Sequence, residues 1–97
     1  MNVVNIRFIS GENCIADLVE EKNDEITIKD VIVAMPLPED PNKIGFAPWA
    51  PLQDPDVEEL TVSKSVVMYI TTPTPSLKEQ YCSMFGKIVA PEKKLIL

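Results

Sequence analysis

The chain has 97 residues, 45% of them hydrophobic and 25% charged, with a net charge of −6; this is enough for one domain with a modest core, and it is not the composition of a disordered chain. The sequence contains no histidine, which removes Ser-His-Asp and Cys-His nucleophilic systems and the commonest zinc ligand. No run of about 18 apolar residues offers a membrane span, no basic-then-apolar start marks a signal peptide, and Cys14 and Cys82 lack metal-like spacing, so a reduced, cytoplasmic setting is expected.

The negative total weighs against broad affinity for nucleic acid, which is driven by phosphate contact. Charge is uneven along the chain. Residues 1–34 carry three basic and seven acidic side chains, residues 35–59 one basic and six acidic, and residues 60–97 five basic and two acidic. The acids fall in runs such as Glu20-Glu21, Asp24-Glu25 and Glu58-Glu59. A solvated face explains such runs better than a catalytic pair does, so no enzyme, no metal site and no cofactor is expected.

Val3 to Ile9 reads as the first strand, with Asn5 and Arg7 alternating with Val4, Ile6 and Phe8. Ser10-Gly11-Glu12-Asn13 is turn chemistry, where glycine takes a positive φ without steric cost. Cys14 to Glu21 is a second strand with Cys14, Ala16 and Leu18 on one face, and Lys22-Asn23-Asp24 is a polar hairpin connection. Glu25 to Met35 is a third. Its alternation starts at Ile26 and Ile28 and shifts phase at Asp30 so that Val31 and Val33 point inward, which predicts a bulge or sharp bend of the kind a small barrel needs to close.

Residues 36–56 break the pattern. Six of the nine prolines lie there, which excludes a central strand. The same stretch holds Ile44, Phe46, Trp49 and Leu52, so an ordered excursion that lays its apolar residues against the barrel or a neighbouring subunit is expected. Packing explains Trp49 better than ligand stacking does. Val57 to Lys64 and Val66 to Thr72 are the fourth and fifth strands, separated by a tight corner at Ser63-Lys64-Ser65. Residues 76–85 form a helix: Ser76 and Glu79 fit a capping box, Leu77, Tyr81, Met84 and Phe85 make one apolar stripe, and Gly86 is a good stop. The ending Lys93-Lys94-Leu95-Ile96-Leu97 reads as a sixth strand, a partner-binding peptide or a frayed end.

The stretch Gly11-Glu12-Asn13-Cys14-Ile15-Ala16-Asp17-Leu18, with its turn glycine, a small residue five later and a leucine seven later, resembles the first signature of Sm-like proteins. Ile26-Thr27-Ile28 looks like the start of that family's third strand. Val62-Ser63-Lys64-Ser65-Val66-Val67-Met68-Tyr69-Ile70 is similar in shape to its second signature, without the usual glycine. Short chains of this kind also resemble proteins of large tailed phages, which would place them in the host cytoplasm. The resemblance implies a mainly β fold: a five-stranded, strongly bent antiparallel barrel over residues 1–97, with the Pro-rich insertion at 36–56 and the C-terminal helix at 76–85. It also implies a homo-oligomeric ring of five to seven subunits.

Rings of that family hold single-stranded RNA at the pore. By the resemblance, Lys22, Asn23, Asp24, Lys64 and Tyr69 would form the RNA site, although Glu25 stands where an amide is usual and a carboxylate repels phosphate. Two functions stay open. One is a ring that binds single-stranded RNA. The other is a ring that has lost RNA binding and serves as a protein-interaction scaffold through Trp49, the helix stripe of Leu77, Tyr81 and Phe85, or the Leu95-Ile96-Leu97 tail.

Overall fold

In the computed structural model, which describes residues 1–85, the chain begins with an antiparallel pair. β1 (Val3–Phe8) and β2 (Asn13–Glu21) are joined by a turn in which Gly11 has φ 102°. β3 (Glu25–Pro36) returns along β2 in a 12-residue strand that bends at Asp30. There Ile15 faces Ile32 and Asp17 faces Lys29, so Asp30 and Val31 together oppose Ala16. Asp30 takes φ 52°, a left-handed conformation that aspartate tolerates better than branched residues do. The extra residue restores the inward face, and Ile26 and Ile28 before it share one core with Val31 and Val33 after it.

The bend lets one strand carry two neighbours on its free edge. Residues 25–29 pair with β5 (Glu59–Ser63), and residues 32–36 pair with β4 (Ile44–Pro48). A 3-10 turn at Lys64–Val66 then leads to β6 (Val67–Thr71), which pairs with β1. Among the described residues the sheet has six strands in the order β4-β3-β2-β1-β6, with β5 beside β3, and it is not closed.

The five-strand expectation is corrected by β4, which lies inside the Pro-rich stretch. Pro36 and Pro48 stand at the two ends of the β3–β4 ladder, opposite Ile44 and Ile32. Pro48 tolerates that placement because β4 is an outer strand, and Pro36 because it ends β3 beyond that strand's pairing with β2. The excursion is ordered, but not all its apolar residues pack. Leu52 is 98% exposed and Ile44 is also largely exposed. Gln53 N–H donates to Ala50 C=O at 3.1 Å, which puts Pro51 and Leu52 at the tip of a β-turn, directed at solvent. The Gln53 side chain ties the rest of the loop down, donating to the carbonyls of Val57 at 3.2 Å and Glu59 at 3.1 Å.

Two cores lie on opposite faces of the sheet. Val4, Ile6, Phe8, Cys14, Ala16, Ile26 and Ile28 fill the concave side, flanked by Leu18, Trp49, Leu60, Val62, Val67 and Ile70. Full burial of each large side chain there contributes about 1.5–3 kcal/mol. The other face carries Val3, Ile15 and Ile32 and is covered by α1 (Pro75–Met84) through Tyr81, with Leu77, Cys82 and Phe85 around it.

Two details of the helix differ from expectation. Thr74, not Ser76, is the N-cap: its Oγ1 accepts from Leu77 N–H at 3.4 Å, and Pro75 occupies the first turn. Proline suits that position because its missing N–H would be unpaired there anyway. The packed stripe contains Cys82 in place of Met84, which is 45% exposed. The cause is the roll of the helix, fixed by a hydrogen bond from the Tyr81 hydroxyl to Asp30 C=O at 2.7 Å. No helix among the described residues is long and apolar enough to cross a membrane. The readings of Gly86 as a stop and of residues 87–97 as a strand or peptide lie outside the described residues.

Candidate functional site

The turn after β2 and the corner before β6 meet at one end of the molecule. Lys22 N–H donates to Glu25 C=O at 2.8 Å and closes the β2–β3 turn, while Lys64 N–H donates to Asp24 C=O at 2.9 Å and pins the corner against it. Ser63 shapes that corner, its Oγ accepting from Ser65 N–H at 3.2 Å. Lys22, Asn23, Asp24 and Lys64, far apart in sequence, therefore share one place because β5 pairs with the first half of β3.

Both cations at this end face carboxylates. Lys64 Nζ lies 2.9 Å from Glu21 Oε2, and Lys22 Nζ lies 3.9 Å from Glu25 Oε1. These exposed pairs contribute little to stability, typically under about 1 kcal/mol each. Their consequence is electrostatic. Glu20, Glu21, Asp24 and Glu25 outnumber the two lysines, so the field at this end repels phosphate.

Tyr69 stands elsewhere, on β6 opposite Arg7 of β1. A register shift between Arg7 and Phe8 makes Met68 an extra residue, so Met68 and Tyr69 both face outward between the inward Val67 and Ile70. Ile9, whose N–H donates to Val66 C=O at 2.9 Å, and Val66 are exposed beside them. Alternation alone could not reveal this apolar edge, because the bulge reverses the phase of the strand.

The residues expected to meet partners are largely engaged within the chain. Trp49 is half-buried, with its ring stacked on Phe8 at a centroid distance of 4.5 Å and an interplanar angle of 8°. Tyr81 is buried, and its ring lies 4.7 Å from that of Phe85. A trough remains beside them at the bend of β3. Its apolar half has a volume of about 300 Å³, its acidic half about 470 Å³, and the two halves share Asp30, Val31, Pro48 and Phe85.

Burial governs the two cysteines differently. Cys14 is sealed in the concave core, and burial, reinforced by nearby Glu12, pushes its thiol up to about 12 from an ordinary 9.0. Cys82 is only half-buried. In the native protein one thiol should therefore react readily with a disulfide reagent, and the second only after denaturation; two fast thiols would show that the core around Cys14 is open. A raised folded pKa means the folded state keeps a proton that the unfolded chain releases. The stability linked to Cys14 is thus fully present below about pH 9 and is lost as pH rises toward 12, by up to about 1.4 kcal/mol per pH unit. Cys14→Ala should flatten that alkaline slope in urea melts at pH 9 to 10.

No protein-family model matches this chain, and no curated protein matches it significantly.

Proposed function

We propose that the chain is a subunit of an Sm-like ring, closed through the outer edges of β5 and β6, and that the ring serves as a protein-interaction scaffold. Among the described residues β5 pairs with β3 and β6 with β1, so each has an edge without a strand neighbour. Unpaired edges are templates for another chain, and edge-to-edge pairing between copies satisfies them. The observation that carries the scaffold reading over RNA binding is the ion pair of Lys64 with Glu21 at 2.9 Å. A phosphate approaching Lys64 would have to displace a carboxylate already in contact and enter an acidic surround.

A second reading, a ring that holds single-stranded RNA at its pore, draws on the placement of Lys64 against the Lys22-Asn23-Asp24 turn. Two measurements decide. Light scattering at micromolar concentration should return about five to seven times the monomer mass, and a monomer would end the ring reading. Fluorescence anisotropy with labelled RNA homopolymers at low salt should show no binding. Binding that is abolished by Lys64→Glu and strengthened by Glu25→Asn would replace the scaffold with the RNA ring. Its salt slope would fall by about one unit for each phosphate contact removed.

A further inference from the structure

The trough at the bend of β3 combines two surfaces that different ligands would want separately. Its floor is Val31 and Ile32, with Phe46, Ala47 and Pro48 of β4 on one side and Met84 and Phe85 at the end of α1 on the other. Beyond Pro48 it widens into a hollow bordered by Asp54 and Glu58 of the loop before β5, with Lys29 as the cation on that wall. The loop is held in shape by Gln53 and by Asp54, whose Oδ1 accepts from Asp56 N–H at 2.9 Å. The acidic wall is therefore preorganised rather than assembled on binding, which lowers the cost of association.

We propose that this trough docks a short segment of a partner protein in which a lysine or arginine lies a few residues from two or more aliphatic side chains. The inference deepens the scaffold reading and rests on it. Charge complementarity selects the cation: the residues lining the trough carry three carboxylates, Asp30, Asp54 and Glu58, against the single cation Lys29. The apolar half excludes a purely ionic ligand, since Phe46, Met84 and Phe85 gain only from burial of nonpolar area. Met84, exposed and flexible, adapts its thioether to differently shaped aliphatic neighbours. Nucleic acid does not fit, because its phosphates would face Asp54 and Glu58. A cationic, aliphatic peptide satisfies both halves at once, with its charge beside Glu58 and its apolar side chains between Phe46 and Phe85.

The test uses the full chain and fluorescent ten-residue peptides carrying one lysine, two leucines and otherwise serine and glycine. The wild type should bind them with a dissociation constant below about 1 mM. Glu58→Lys and Met84→Glu, both at exposed positions, should each weaken binding about tenfold, equivalent to about 1.4 kcal/mol, while unfolding curves stay unchanged. A control peptide with glutamate in place of lysine should not bind. Equal binding of that control, unchanged affinity in both variants, or no binding at about 1 mM would overturn the proposal. So would a several-fold rise in affinity when Lys93 and Lys94 are both replaced by Glu, which would show that the trough serves the chain's own C-terminal segment. Light scattering and RNA anisotropy on the same samples keep the readings apart. An intact, RNA-free ring that ignores the peptides sinks the trough alone, and a peptide-binding monomer sinks the ring alone.

Discussion

Phe8→Ala should remove about 3–5 kcal/mol of stability, the range for deleting a buried aromatic ring. Phe8 is 1% exposed at the end of β1, and its ring is the platform on which Trp49 stacks. Truncation therefore removes buried area from the concave core and also the contact that holds the excursion at residue 49. Small domains have only about 5–15 kcal/mol in total, so the variant should sit near the edge of folding. Urea unfolding followed by Trp49 fluorescence measures both effects, because the native emission is blue-shifted while the indole is covered and should move to the red in the variant. A loss under about 1 kcal/mol would mean that the core collapses around the gap, contrary to the close packing that Trp49 and Phe8 display.

Replacing Tyr81 separates what its ring does from what its hydroxyl does. Tyr81→Ala should cost about 3–5 kcal/mol, since the ring is the centre of the core beneath α1 and contacts Phe85. Tyr81→Phe keeps the ring and removes the 2.7 Å hydrogen bond to Asp30 C=O, for a loss of about 0.5–1.5 kcal/mol. The position of that carbonyl gives the small change weight: it belongs to the left-handed residue at which β3 bends, so the hydroxyl braces the bulge from the helix side. Burial, and then the carboxylates of Asp30 and Asp17, push the pKa of the phenol up from its ordinary value in the folded state. Its contribution is thus complete below about pH 10 and declines as pH rises. Far-UV circular dichroism should show loss of the helical signal in Tyr81→Ala at temperatures where the sheet persists. Helix and sheet melting together would instead show that the two faces unfold as one unit.

The sequence resolved the parts of this fold that depend on local periodicity and turn chemistry. The alternation of Val4, Ile6 and Phe8, the turn at Gly11 and the inward set Cys14, Ala16 and Leu18 are all legible, because a half-buried strand repeats every two residues. The break at Asp30 was legible too, since a bulge moves the apolar pattern by one place, and the structure puts the left-handed residue there. β4 was hidden by the prolines in and around it. They forbid an inner strand but permit an outer one, and only the length and bend of β3 reveal that an edge is open for it.

The candidate sites divide in the same way. That Lys22, Asn23 and Asp24 form a turn and that Lys64 lies in a corner follows from neighbouring residues. That Lys64 reaches Glu21, and so has its charge offset, depends on β5 pairing with the first half of β3, a contact spanning some forty residues of chain that no local pattern encodes. The Met68–Tyr69 edge depends on register between β1 and β6, and the trough needs the bend of β3, the loop fixed by Gln53 and the end of α1 in one place. Residue types and their spacing determine which segments are strands, turns and helix. The long-range pairing of those segments decides which charges cancel, which apolar side chains remain outside, and where a hollow is left for a partner.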